Sequence, residues 1–229
     1  MVMTSGFTRK TTDGKEGPEI DYSAAIGSQL YLAMSTRPDL AYCVGYLSRF
    51  TERPTSAHGG AIKRVWKYLA ASTDRGIRFR RSDTRNPPEV VKIEGYCDAD
   101  WGNCPDTRKS ITGYVMNVDG GLVVWAALRH SVVAQSTAEA KYISACEACQ
   151  EGRGLTNIVM EVIPDRTVPF TLGIDNQDAM AMAEHPAYIR KTRHIKLRYH
   201  YVRDQVAQSA VQCSKLKAKT TQRTYALNY

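Results

Sequence analysis

Residues 90–127 read VVKIEGYCDADWGNCPDTRKSITGYVMNVDGGLVVWAA, and the alternation in this stretch sets the fold. Its apolar period is that of strands rather than helices. Val90 to Cys97 reads as a strand leading out of Pro88, and Ile111 to Val118 as a second. Asp119-Gly120-Gly121 is tight-turn chemistry, so Leu122 to Ala127 is the returning arm of a hairpin. Downstream, Ser136-Thr137 caps a long helix reaching about Val162, with Pro164 just past its end. Val168 to Ile174 is another apolar strand, closed by Asp175-Asn176. A short helix from about Gln177 to Glu184 stops before Pro186, and a Tyr- and Arg-rich helix runs from about Thr192 to Val206. One more strand fits Ala210 to Cys213.

Upstream the period is helical. Ile26, Leu30 and Leu32 lie near one face of a helix from about Tyr22 to Met34. A second helix opens on Pro38, a good first-turn residue, and carries Leu40, Val44, Leu47 and Phe50. A third starts near Thr55-Ser56 and spaces Ile62, Val65, Trp66 and Leu69 helically. Ser82 to Pro88 is linker composition. The expected organisation is a disordered lead-in over 1–17, a helical segment over 18–82, an α/β domain over 90–206 and a basic tail over 207–229. The α/β domain consists of three antiparallel strands, a helix, a parallel strand and further helices.

The 229 residues are 43% hydrophobic and 24% charged, which fits a folded chain and excludes collagen-like or disulfide scaffolds. No apolar run approaches the ~20 residues of a membrane span. Residues 1–10 lack a secretory h-region. The expected setting is intracellular, cytoplasmic or nuclear, with the six cysteines reduced. The net charge of +8 is concentrated at one end. His185 to Tyr229 carries ten Lys/Arg against the single acid Asp204, a net +9, and leaves −1 for the rest. Such a patch suits a polyanion, most simply nucleic acid, with a plain solvated basic face as the alternative.

Three acids fall at comparable places: Asp98 at a strand end, Glu139 at a helix start and Asp175 at the end of another strand. In an open α/β sheet such positions form one rim. Carboxylates gathered there are hard oxygen ligands for Mg²⁺ or Mn²⁺, and two such ions support phosphodiester hydrolysis. Capping and turn-forming acids give the same pattern.

Several motifs in register resemble one family. Tyr22-Ser23-Ala24-Ala25-Ile26-Gly27-Ser28 and Thr36-Arg37-Pro38-Asp39-Leu40-Ala41-Tyr42 are similar to the region after the polymerase of copia-type LTR retrotransposon Pol polyproteins. Tyr96-Cys97-Asp98-Ala99-Asp100-Trp101, Arg108-Lys109-Ser110, Gly113-Tyr114-Val115, Ser136-Thr137-Ala138-Glu139-Ala140, Asp175-Asn176-Gln177, and Arg193-His194-Ile195 with Arg198-Tyr199-His200 resemble that family's RNase H domain. The resemblance covers roughly residues 22–206. It implies an RNase H-like fold, preceded by a helical segment, that removes RNA from RNA–DNA hybrids during reverse transcription. It also implies a two-ion Mg²⁺ (or Mn²⁺) site held by Asp98, Glu139 and Asp175. The partners implied are the hybrid duplex and the polymerase part of a Pol polyprotein, whose catalytic segment this chain lacks. Arg193, His194, Arg198 and Arg203 are the expected nucleic-acid contacts.

The departures from the family point to a degenerate site. The family shows two Glu, two positions apart, where this chain has Glu139 and Lys141. Two positions are about half a helical turn, so these side chains face opposite ways. Lys141 heads the stripe Ala145, Ala148, Gly152, Leu155, Val159 and Val162, the best candidate for the sheet-packed face. On this argument the liganding Glu is replaced by a cation and Glu139 only caps. Lys196 stands where the family carries an acid, and no acid follows Asp204. A catalytically inactive nucleic-acid-binding remnant is therefore the alternative function. Cys146 and Cys149 lie inside the long helix without a second pair and read as packing thiols, not as zinc ligands.

Overall fold

A computed structural model describes residues 17–79, 89–185 and 197–215. Helix α1 spans Tyr22–Ser35, with Asp21 accepting from the Ala24 N–H at 3.0 Å as its N-cap. The expected single helix from Pro38 is instead a 3-10 turn (Pro38–Leu40), a short α2 (Ala41–Leu47) and a second 3-10 turn (Ser48–Phe50). Ser48 Oγ donates to the Gly45 carbonyl at 2.9 Å, and such a side-chain bond ties up a carbonyl where a helix ends. Helix α3 (Ser56–Ala70) is capped by Thr55 in a reciprocal box that uses His58 where Glu is usual.

These helices have their own apolar cluster, centred on Leu40, Val44, Leu47, Ile62 and Val65. A largely buried ion pair lies in the same segment. The Arg37 guanidinium donates to both Asp39 carboxylate oxygens, at 3.0 and 2.8 Å, and to the Ser72 carbonyl at 3.0 Å. Tyr68 Oη donates to Asp39 at 2.7 Å. Burial alone would raise the Asp39 pKa, but the bonds from Arg37 and Tyr68 prevail and lower it.

The second body is a five-stranded sheet in the order β3-β2-β1-β4-β5. Strands β1 (Ile93–Asp100), β2 (Ile111–Val118) and β3 (Gly121–Arg129) pair antiparallel. Asp119 and Gly120 both take positive φ, 47° and 78°, which is what a two-residue hairpin requires. Helix α4 (Thr137–Val162) then crosses the sheet, and β4 (Phe170–Ile174) returns parallel beside β1. Helices α5 (Gln177–Glu184) and α6 (Tyr201–Ala207) follow, the latter entered through a 3-10 turn at Leu197–His200. Strand β5 (Gln212–Lys215) is parallel to β4, so the sheet extends past Val206 into what the sequence gives as tail. Of the stripe expected on α4, Ala145, Ala148, Gly152 and Leu155 are buried, whereas Val162 is exposed beyond the sheet. Gly152 has a packing reason: a methyl group there would run into the Phe170 ring. No helix among the described residues is long and apolar enough to cross a membrane.

Candidate active site

The register of β1 and β4 places the site. Cys97 and Ile174 are partners in the parallel pair, so Asp98 and Asp175 leave neighbouring positions on adjacent strands. The first turns of α4 lie over them, tied down by Ser144 Oγ, which donates to the Asp98 carbonyl at 2.7 Å. From that helix Lys141 reaches between the two carboxylates. Its ammonium lies 3.0 Å from Asp98 Oδ1 and also donates to Asp175 Oδ2. The lysine side chain is only 15% exposed and the carboxylates 35%, so the triad is half-shielded from water. Burial by itself would lower the Lys141 pKa, but the bonds and charges of Asp175 and Asp98 outweigh it and raise the value. Lys141 is therefore charged at neutral pH. Asp98 also accepts from the Ala99 N–H at 2.7 Å. The nearby Asp100 carboxyl is pushed up, first by burial and then by the Asp98 charge.

Glu139 is elsewhere. Its carboxylate accepts from the Gln135 N–H at 2.7 Å, and its own N–H donates to the capping Ser136 Oγ at 3.1 Å. It closes the loop into α4. Of the three acids singled out in the sequence, the fold thus brings Asp98 and Asp175 together and turns Glu139 away. Among the described residues no three His, Cys, Asp or Glu are grouped to hold a metal. The divalent ions implied by the resemblance do not fit the residues present, because the cation between the two aspartates is the Lys141 ammonium.

The expected nucleic-acid contacts fare unevenly. Arg193 and His194 lie outside the described residues, as does the Arg198 side chain. Arg203 is committed to packing: its Nε and Nη2 donate to the Met182 carbonyl at 3.1 and 2.9 Å and join α6 to α5. His200 Nδ1 lies 3.0 Å from Tyr142 Oη, and burial lowers its pKa. Trp101 donates from Nε1 to the Ala134 carbonyl at 2.9 Å while its ring stays half exposed. Cys146 and Cys149 are fully buried thiols, as packing requires. Sequence reasoning missed how the helical segment is seated. Trp125 Nε1 donates to the Ala33 carbonyl at 2.7 Å, and Asn103 Nδ2 to Tyr42 Oη at 2.8 Å. Both join residues far apart in the chain, so no local signal announces them.

No protein-family model matches the chain. The Retrovirus-related Pol polyprotein from transposon TNT 1-94 of Nicotiana tabacum is 34% identical over 198 residues, 86% of this chain and 14% of that protein. The corresponding polyprotein from transposon RE2 of Arabidopsis thaliana is 32% identical over 83% of this chain and 13% of its own length. A secreted RxLR effector protein, 161, of Plasmopara viticola is 39% identical over 60% of this chain and 92% of its own. Two solved RNase H1 structures, one from Halobacterium salinarum and one isolated from compost, each cover 58% of this chain. They show 12 and 13% identity and TM-scores of 0.35 and 0.37, a weak likeness that adds nothing to the topology above. The chain spans about one seventh of the Pol polyproteins that it matches. It belongs to the copia-type retrotransposon Pol family, as an RNase H-like domain with the helical segment that precedes it.

Proposed function

We propose that this chain is an RNase H-type domain that holds RNA–DNA hybrid through its phosphates and does not cut it. The observation that carries the reading is the position of Lys141 between Asp98 and Asp175. Hydrolysis in this family is expected to need a divalent cation between those carboxylates, and a fixed ammonium a few ångströms away repels one by several kcal/mol at the effective dielectric of a half-buried site. Glu139, bonded to the Gln135 N–H, supplies no replacement ligand. Binding does not need the ion. It rests on the basic character of the chain, net +8, and a duplex backbone is met by Lys and Arg whatever its sequence. The Pol relatives support an intracellular setting, with the polymerase part of such a polyprotein as a covalent or bound neighbour.

The test uses one tube. A hybrid labelled on its RNA strand is mixed with the chain in Mg²⁺, then in Mn²⁺, and both retention and strand length are followed. The reading expects retention with full-length RNA in both metals. Shortened RNA at a rate proportional to chain concentration overturns it, and so does failure to retain the hybrid at low salt.

A further inference from the structure

We infer that the loop joining β1 to β2 forms, with Arg49 of the helical segment and Arg129 at the end of β3, a second phosphate-binding surface for the duplex. This extends the hybrid-binding reading and rests on it. None of its residues belongs to the C-terminal basic segment, 185–229, on which the sequence places its contacts.

The loop is a built structure. Gly102 and Arg108 take positive φ, 63° and 54°, and fold it back on itself. The Arg108 N–H donates to the Cys104 carbonyl at 2.7 Å, and the Cys104 N–H to the Lys109 carbonyl at 3.2 Å. Lys109 Nζ donates to the Ser131 carbonyl at 2.7 Å, which fixes its stem along the end of β3. Arg49 Nη1 reaches the Cys104 sulfur at 3.5 Å, and its guanidinium stacks on the Tyr46 ring 4.6 Å from the centroid. Ile111 at the start of β2 pairs with Arg129, so that arginine stands beside the loop. Arg108 and Arg129 are exposed, and Arg49 and Lys109 half-buried.

Four cations therefore gather at one place, and among the described residues none of them is ion-paired to a carboxylate. The acids close by in sequence are Asp100 at the loop entrance and the exposed Asp106. Lys109, held by the Ser131 carbonyl with two N–H donors to spare, and Arg49, held by the Cys104 sulfur and the Tyr46 ring, are preorganised for an anion and lose little freedom on binding. Their location selects the anion. The loop leaves β1 directly after Asp98 and Asp100, so the surface borders the Asp98–Lys141–Asp175 triad. A rod of regularly spaced phosphates lying across that end of the sheet meets the triad and the four cations together. The helical segment then has a role beyond packing, since it contributes Arg49.

The experiment measures labelled RNA–DNA hybrid binding by anisotropy as a function of salt. The variant carries Arg108→Gln, Lys109→Gln and Arg129→Gln together. A control carries Lys63→Gln, Arg64→Gln and Lys67→Gln on α3, the same change in charge elsewhere. The first variant should flatten the slope of log affinity against log salt by about 0.7 to 0.9 per lost contact, and the control should leave it near that of the unmodified chain. A further variant, Asp106→Asn, keeps every cation and should tighten binding by about threefold, the size of one screened surface charge. Hybrid binding with a slope unchanged in the first variant overturns this surface and leaves the hybrid-binding reading standing. Equal flattening by both triple variants also overturns it. No binding by the unmodified chain overturns the hybrid-binding reading itself.

Discussion

Lys141→Met keeps the length and apolar stem of the side chain and removes its charge. Asp98 and Asp175 both contact the same nitrogen in the unmodified chain, one at 3.0 Å. Their carboxylate oxygens are therefore no more than about 6 Å apart, where two unit charges repel by about 3 kcal/mol at an effective dielectric of 20. Each carboxylate is about a third exposed, so water screens part of that. A net loss of about 2 kcal/mol follows, or a Tm lower by about 4 to 8 °C for a chain of this size. The variant also gains something: two uncompensated carboxylates are a ligand pair for a hard cation. Adding Mg²⁺ or Mn²⁺ at about ten times its dissociation constant should return about 1.4 kcal/mol. The unmodified chain, whose ammonium already fills the gap, should show no such rise. The assay is a thermal melt of both proteins with and without the divalent ion. Equal melting temperatures in its absence, or an equal rise in both proteins on adding it, would refute the reasoning.

Other expectations follow from the same contacts. Asp39→Asn breaks a buried, bidentate pair with Arg37 and should cost about 3 kcal/mol in denaturant unfolding. Because the Asp39 pKa is lowered in the fold, its contribution is present above the ordinary carboxylate range and fades as pH falls through it. His130 is buried against Thr112 Oγ1 at 2.6 Å and its pKa is pushed down to about 4 by burial. The unfolded chain takes up that proton first, so stability should fall by about 3 kcal/mol between pH 6.5 and 4, and His130→Gln should flatten that part of a stability–pH curve. Gly152→Ala drives a methyl into the Phe170 ring and should cost about 1 to 3 kcal/mol, read as a lower denaturant midpoint.

Much of the sheet was legible because its signals are local. Asp119-Gly120 sets the hairpin, Ser136 sets the start of α4, and β1, leading out of Pro88, is buried at every other residue. The facing of residues 139 and 141 was also legible, since helical geometry alone separates them and the small-residue stripe marks the packed side. What escaped were contacts between distant residues. The exception is the Asp98–Lys141–Asp175 pairing, which the family motifs made legible by placing both aspartates at the ends of strands that lie side by side; the parallel register of β1 and β4 brings them within reach of one ammonium. Arg203 looked like a phosphate ligand from composition, yet the carbonyl of Met182 takes its guanidinium. The break of the second helix into turn, helix and turn depends on side-chain bonds to single carbonyls, which propensity does not register. Strand β5, expected at Ala210 to Cys213, lies at Gln212–Lys215, where β4 offers it an edge.

The most direct measurement of the central claim is gain of function. End-labelled RNA–DNA hybrid is incubated with the unmodified chain, with Lys141→Glu and with Glu139→Gln, in Mg²⁺ and in Mn²⁺, and the products are resolved by length. If the ammonium between Asp98 and Asp175 blocks hydrolysis, the unmodified chain and Glu139→Gln leave the RNA intact, and Lys141→Glu yields metal-dependent fragments. Cleavage by the unmodified chain that Glu139→Gln abolishes and Lys141→Glu does not improve would contradict the account and make Glu139 the working carboxylate.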